Sequence, residues 1–116
     1  MADWRPILNR RSDGFPRIMG ILNITPDSFY ADSRVDSVDD AISRAKKMVE
    51  DGADWLDIGG ESTRPGAEPV SIDEEMNRVL PVIKAVRTAL PNVGISIDTR
   101  RASVAEAVLN LGADMV

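Results

Sequence analysis

Three times along this chain a short apolar run gives way to a polar loop and then to an apolar stripe at helical spacing. That alternation constrains the fold more than any other feature. The first run, residues 17–24, is almost continuously apolar, as expected of a parallel strand buried on both faces. Ala41, Ile42, Ala45, Met48 and Val49 follow at helical spacing, and Gly52 closes that helix. Residues 54–58 are the second run. Ser71 and Glu74 then match a capping box, with Ser71 as N-cap and Glu74 reaching back. Met76, Val79, Leu80, Ile83, Val86 and Leu90 carry the second helix, and Pro81 inside it predicts a kink or a split. Residues 93–98 are the third run. Val104, Ala107, Val108 and Leu111 mark a third helix closed by Gly112, and residues 114–116 read as the opening of a fourth strand. Gly52-Ala53-Asp54-Trp55 is echoed by Gly112-Ala113-Asp114-Met115, which predicts one αβ turn used twice.

Strand–helix alternation implies an α/β fold with parallel strands and right-handed crossovers. A (β/α)8 TIM barrel uses about 250 residues, or about 31 per unit. The 116 residues therefore correspond to a partial (β/α)8 TIM barrel, the first three βα units plus the start of strand 4. Residues 1–16 precede the first strand as an N-terminal extension. Half a barrel exposes strand edges and core, so three outcomes stand open: a fragment, a barrel completed by association, or a small open α/β sheet.

Composition narrows the chemistry. The chain has no Cys and no His, which removes disulfides, thiolate catalysis, His general bases and the usual zinc ligands. Any metal would be held by oxygen, as Mg²⁺ is. A net charge of −5 argues against nonspecific nucleic-acid binding. No apolar run has the length of a membrane span or signal peptide, so a cytoplasmic protein without membrane contact is expected.

In parallel α/β folds ligands bind at the carboxyl ends of strands, and all three visible ends are polar. Strand 1 ends in Asn23-Ile24-Thr25-Pro26-Asp27-Ser28-Phe29. Asn23 offers a neutral oxygen for Mg²⁺ beside a phosphate, or bonds the turn backbone. Phe29 covers a ligand ring or anchors the loop, while Asp27 and Ser28 add oxygen ligands or cap it. Strand 2 ends in Gly59-Gly60-Glu61-Ser62-Thr63-Arg64-Pro65-Gly66, where two hydroxyls and a guanidinium suit phosphate oxygens. The alternative is an ordinary polar βα connection, with Arg64 a solvated surface charge. Strand 3 ends in Asp98-Thr99-Arg100-Arg101. Asp98 either accepts N–H donors from a flat heterocycle and stabilises positive charge on it, or caps the third helix. Asp57, inside a strand, reads as a satisfied interior carboxylate.

Together these segments resemble dihydropteroate synthase, the pterin-binding (β/α)8 enzymes of folate biosynthesis. The likeness rests on residues 19–29, 57–66 and 96–99 and runs in order from about residue 17 to residue 116. The resemblance implies the N-terminal part of a pterin-binding barrel domain. It also implies the family's reaction, in which 6-hydroxymethyl-7,8-dihydropterin pyrophosphate and para-aminobenzoate give 7,8-dihydropteroate and pyrophosphate. By the same resemblance Asn23 serves Mg²⁺ and pyrophosphate, and Thr63 and Arg64, beside Ser62, hold the pyrophosphate end. Asp98 binds the pterin and favours its cationic state, and Ile21 packs on the pterin ring. Thr25, Pro26, Asp27, Ser28 and Phe29 belong to a mobile first loop, with Phe29 and Pro65 near the aminobenzoate. The complete enzyme is expected to be a homodimer.

Two departures stand out. Where the family continues Ser-Asp-Gly-Gly after Phe29, this chain has Tyr30-Ala31-Asp32-Ser33-Arg34, which predicts a stiffer loop. The chain also stops where the fourth strand would deliver the family's next pterin-binding Asn, and the later Asp, Lys, Arg and His of the site are not in this sequence, so about half the site is expected to be missing. Two further readings stay open, a related pterin-binding methyltransferase and a non-catalytic truncated protein.

Overall fold

A computed structural model describes residues 11–24, 37–61 and 69–116. Six elements follow in order: β1 (Met19–Asn23), α1 (Ser37–Glu50), β2 (Trp55–Gly59), α2 (Ile72–Ala89), β3 (Gly94–Asp98) and α3 (Ala102–Asn110). The strands form one parallel sheet in the order β1-β2-β3. Met115 takes the next place beside β3: the Ile97 N–H donates to its carbonyl at 2.9 Å, and its own N–H donates to Ile95 at 3.2 Å. The expected fourth strand thus begins there, and the architecture is that of a partial TIM barrel.

Because successive strand residues point to opposite faces, the register sorts side chains into two sets. Leu22, Ile58 and Ile97 share one row on the helix side, with Leu56 and Ile95 in the row below. They pack on Ala41 and Ala45 of α1, Val79, Val82, Ile83 and Val86 of α2, and Val104 and Val108 of α3. Each fully buried Leu, Ile or Val side chain there contributes about 1.5–3 kcal/mol of transfer free energy. The other face carries Met19, Ile21 and Asn23, which are all exposed. The expectation that the first strand is buried on both faces is therefore wrong for β1. Among the described residues helices cover only one side of it, and a continuous apolar run in sequence does not say what lies across the sheet.

The echoed tetrapeptides do build one turn twice. Gly52 and Gly112 have φ of +117° and +109°, a left-handed conformation that glycine adopts without strain. The next residues return to the helix, with the Ala53 N–H donating to Met48 at 2.9 Å and the Ala113 N–H to Val108 at 3.0 Å. Each Asp then makes a two-way contact with a neighbouring chain segment. Asp54 donates its N–H to the Ile18 carbonyl (2.7 Å) and accepts the Ile18 N–H on Oδ2 (3.0 Å). Asp114 does the same with Ile95, at 2.8 and 2.9 Å. An arginine faces each carboxylate, Arg17 at 3.6 Å and Arg87 at 2.7 Å.

For α2 one expectation needs correction and another is narrowed. Ser71 is the N-cap, its Oγ accepting the Glu74 N–H at 3.1 Å, but the Glu74 carboxylate takes Arg78 Nη2 at 2.7 Å instead of reaching back. A guanidinium one turn away is a stronger partner than the cap amide. Of the kink or split expected at Pro81, the split does not occur, since the helix runs unbroken from Ile72 to Ala89. Pro81 and Asn77 both lie on the exposed face, so water can satisfy the Asn77 carbonyl that loses its usual donor. Leu111 follows α3 as its C-cap and is exposed, whereas Val104 and Val108 carry the buried stripe.

Candidate functional site

The parallel register brings three strand ends level. Asn23 pairs with Gly59, and Gly59 with Asp98, so the three form one row on the face away from the helices. Asn23 and Asp98 are both exposed and stand two strand spacings apart, about 10 Å. Gly59 makes the space between them usable. A Cβ there would lie 3.9 Å from Asn23 Oδ1 and 3.5 Å from Asp98 Cβ, so its absence leaves a flat floor between an amide and a carboxylate. One row lower, Ile21, Asp57 and Ser96 align. Ile21 is 63% exposed and presents an apolar surface beside that floor. Ser96 donates its hydroxyl to Asp57 Oδ1 at 2.6 Å, so the Asp57 carboxylate is satisfied as expected, although it is half-buried and not interior.

Asp98 does not cap α3. The N-cap position belongs to Arg101, which makes no side-chain cap bond. Of the expected site residues, the structure thus brings together Ile21, Asn23 and Asp98. Thr25, Pro26, Asp27, Ser28, Phe29, Ser62, Thr63, Arg64 and Pro65 lie outside the described residues, as do residues 30–34 and residues 1–10 of the N-terminal extension.

A charged network behind the row ties β2, α2 and the β3–α3 turn together. Glu61 Oε2 accepts the Val70 N–H at 2.9 Å. Its carboxylate also takes Arg100 Nε at 2.9 Å and Nη2 at 3.3 Å, with Arg101 Nη2 at 3.5 Å. The Arg100 hydrogen bond, then the Val70 amide, holds the Glu61 carboxyl down to about 2, and the same bond raises the Arg100 guanidinium. Glu75, only 1% exposed, takes Arg101 Nη1 at 2.8 Å and the Thr99 hydroxyl at 2.7 Å. Arg101 Nη2 also donates to the Val70 carbonyl. Gly60 is pinned from α2, where Arg78 Nη1 donates to its carbonyl at 2.9 Å.

Sequence reasoning assigned no part to Glu75, Glu61 or Arg101. For Glu75 a signal was present: it precedes Val79 by four residues and so puts a carboxylate on the helix face that also carries Ile83 and Val86. Gly59 as a floor had none, because register between distant strands is not local information.

For Mg²⁺, the donor chemistry of the row is suitable. Asn23, exposed at its strand end, supplies a hard, neutral oxygen, and Mg²⁺ commonly takes one or two protein oxygens and fills its octahedron with phosphate and water. No group of three or more His, Cys, Asp or Glu side chains able to hold a metal occurs among the described residues. A cavity of about 360 Å³ lined by Arg17, Val49, Asp54, Leu90 and Val93 lies at the opposite, amino-terminal ends of the strands and does not touch this row.

Residues 19–116 match the family described as pterin binding enzyme. The dihydropteroate synthase of Bacillus subtilis (strain 168) is 56% identical over 99 residues, which cover 85% of this chain and 34% of that protein. The structure of FolP, a dihydropteroate synthase from Clostridium difficile, in the presence of pteroic acid superposes with a TM-score of 0.82 at 55% identity. It covers 86% of this chain and 38% of its own. Dihydropteroate synthase from Anaplasma phagocytophilum with bound 6-hydroxymethylpterin-monophosphate gives 0.78 at 41% identity, covering 86% and 38%. The chain therefore spans about a third of the length of these relatives.

Proposed function

The chain belongs to the pterin binding enzyme family, and from that premise we propose that it carries the amino-terminal part of a dihydropteroate synthase site. The reaction would join para-aminobenzoate to 6-hydroxymethyl-7,8-dihydropterin pyrophosphate. The observation that carries this reading is the row Asn23–Gly59–Asp98, a side-chain-free floor between a neutral oxygen donor and a carboxylate at the carboxyl ends of parallel strands.

Each end of the row suits one end of the substrate. Asp98 would accept N–H donors from the pterin edge and stabilise the positive charge that grows as the hydroxymethyl carbon loses its oxygen. The C–O bond breaks with its electron pair leaving on pyrophosphate. The arylamine nitrogen then forms the new C–N bond and loses a proton. Asn23 would hold Mg²⁺, which when bound supplies charge neutralisation to the departing pyrophosphate. Thr63 and Arg64, with Ser62 beside them, would grip the phosphate oxygens, and Arg64 would do so bidentately. Ile21 would pack on the pterin ring, and Phe29 and Pro65 would border the aminobenzoate. None of these roles needs a His or Cys, in keeping with a chain that has neither. In its complete form the enzyme would be a cytoplasmic homodimer. Among the described residues no helix is long and apolar enough to cross a membrane.

The test is mass-spectrometric detection of 7,8-dihydropteroate from purified chain, both substrates and Mg²⁺. Titration calorimetry with 6-hydroxymethylpterin monophosphate accompanies it. Product above the no-protein control establishes the activity for this chain, and binding without product supports the substrate assignment. The absence of both product and binding overturns the proposal.

A further inference from the structure

Each of the three residues after Asp98 is gripped by a carboxylate from the preceding βα unit. The Thr99 hydroxyl donates to Glu75 Oε2 at 2.7 Å, Arg100 Nε to Glu61 Oε1 at 2.9 Å, and Arg101 Nη1 to Glu75 Oε1 at 2.8 Å. Of the two carboxylates Glu75 is the unusual one. It is 1% exposed, on the same face of α2 as Val79, Ile83 and Val86. Desolvating a carboxylate there is costly, and a buried ion pair of this kind is often no more stabilising than a well-packed apolar residue. The two bonds of Glu75 impose a definite geometry on the residues they hold.

That geometry concerns one turn. Both oxygens of Glu75 are committed, one to Thr99 and one to Arg101. Thr99 Oγ1 in turn accepts the Arg101 N–H at 3.2 Å, closing the backbone of the turn on itself. At the start of α2 the Ser71 side chain caps locally, whereas Arg101 makes no cap bond at the start of α3. Glu75 supplies the missing constraint from a different helix. Asp98 is the last residue of β3 with its side chain exposed, so β3 before it and this turn after it together set where its carboxylate points.

We infer that Glu75 is a positioning residue for Asp98, acting through Thr99 and Arg101 to fix the β3–α3 turn and hold the Asp98 carboxylate in line with Asn23. The ligand half of this inference rests on the pterin reading of the row; the geometric half does not. Two readouts on isotope-labelled chain keep them apart: the Asp98 amide and carboxyl resonances, and calorimetric affinity for 6-hydroxymethylpterin monophosphate.

Thr99→Val removes the hydroxyl bond while keeping shape and ion pair, Glu75→Gln neutralises the buried charge, and Val86→Ala weakens the core of α2 far from the turn. Both turn variants are expected to shift the Asp98 resonances and weaken binding by about tenfold or more, the scale on which small misplacements of a binding group are felt. Val86→Ala is expected to lower the urea midpoint and leave both readouts in place. Should Glu75→Gln fail to fold, Thr99→Val decides alone. Asp98 resonances that stay put in the folded turn variants overturn the inference. So does undiminished affinity in them when the unmodified chain binds. No binding by the unmodified chain overturns the pterin reading instead, and the resonances still decide whether Glu75 positions Asp98.

Discussion

Replacing Gly60 by alanine tests how tightly the site loop is seated on α2. A Cβ at residue 60 would lie 2.7 Å from Val79 Cγ1 and 3.4 Å from both Cγ and the carbonyl oxygen of Glu75. Carbon atoms pack at about 3.5–4.0 Å, so the loop and helix must part by about 1 Å. Neither side gives easily. Val79 is fully buried and β-branched, which leaves it one favourable rotamer in a helix, and Arg78 holds the Gly60 carbonyl at 2.9 Å. Overpacking of this kind costs about 1–3 kcal/mol. Urea unfolding followed by Trp fluorescence should show that loss as a lower midpoint at unchanged slope.

A second substitution makes the reasoning refutable. Val79→Ala removes the clashing atom and costs about 2 kcal/mol by itself, two methyl groups at about 0.8 kcal/mol each plus a cavity term. In that background Gly60→Ala should cost less than about 0.5 kcal/mol, giving a coupling of the size seen for residues in contact. A neutral Gly60→Ala in the unmodified chain refutes the packing argument. Full additivity with Val79→Ala refutes the identity of the clash.

Acid should release the Glu61 clamp. Its carboxyl is held down to about 2 against an ordinary 4.5, so its stabilising contribution is complete above pH 4.5 and is lost as pH falls from there towards 2. In Glu61→Gln, urea midpoints followed over that window should fall less steeply than in the unmodified chain, with the difference kept small by the exposure of Arg100. Arg87 donates to the carbonyls of Pro91, Val93 and Gly112 at 3.0, 2.8 and 3.0 Å and pairs with Asp114. Arg87→Met should therefore cost about 2–4 kcal/mol in urea unfolding, and Arg87→Lys should not restore it because one ammonium cannot span the same acceptors. Asp98→Asn should leave stability within about 0.5 kcal/mol, since the residue is exposed, while lowering affinity for 6-hydroxymethylpterin monophosphate by about 10²-fold in calorimetry.

Much of this molecule is legible in its amino-acid order, and the legible part is local. Ser71 caps α2 because its hydroxyl reaches an amide three residues on, and Gly52 and Gly112 end helices because the left-handed turn disfavours a Cβ. Helical stripes locate the core through Ala41, Ala45, Val79, Ile83, Val104 and Val108, and the polar strand ends point to one rim of the sheet. The motifs that carry the family resemblance sit on those same strand ends. What the order of residues left undecided depends on partners far along the chain. Parallel register places Asn23, Gly59 and Asp98 in one row and makes a floor of the glycine, and register is a property of two strands, never of one. Met19 and Ile21 are exposed although their apolar run reads as buried on both sides, because burial depends on what the rest of the chain brings to that face. Glu75 lies 24 and 26 residues from the two side chains it holds. Only the folded chain brings them close enough to fix the turn that follows Asp98.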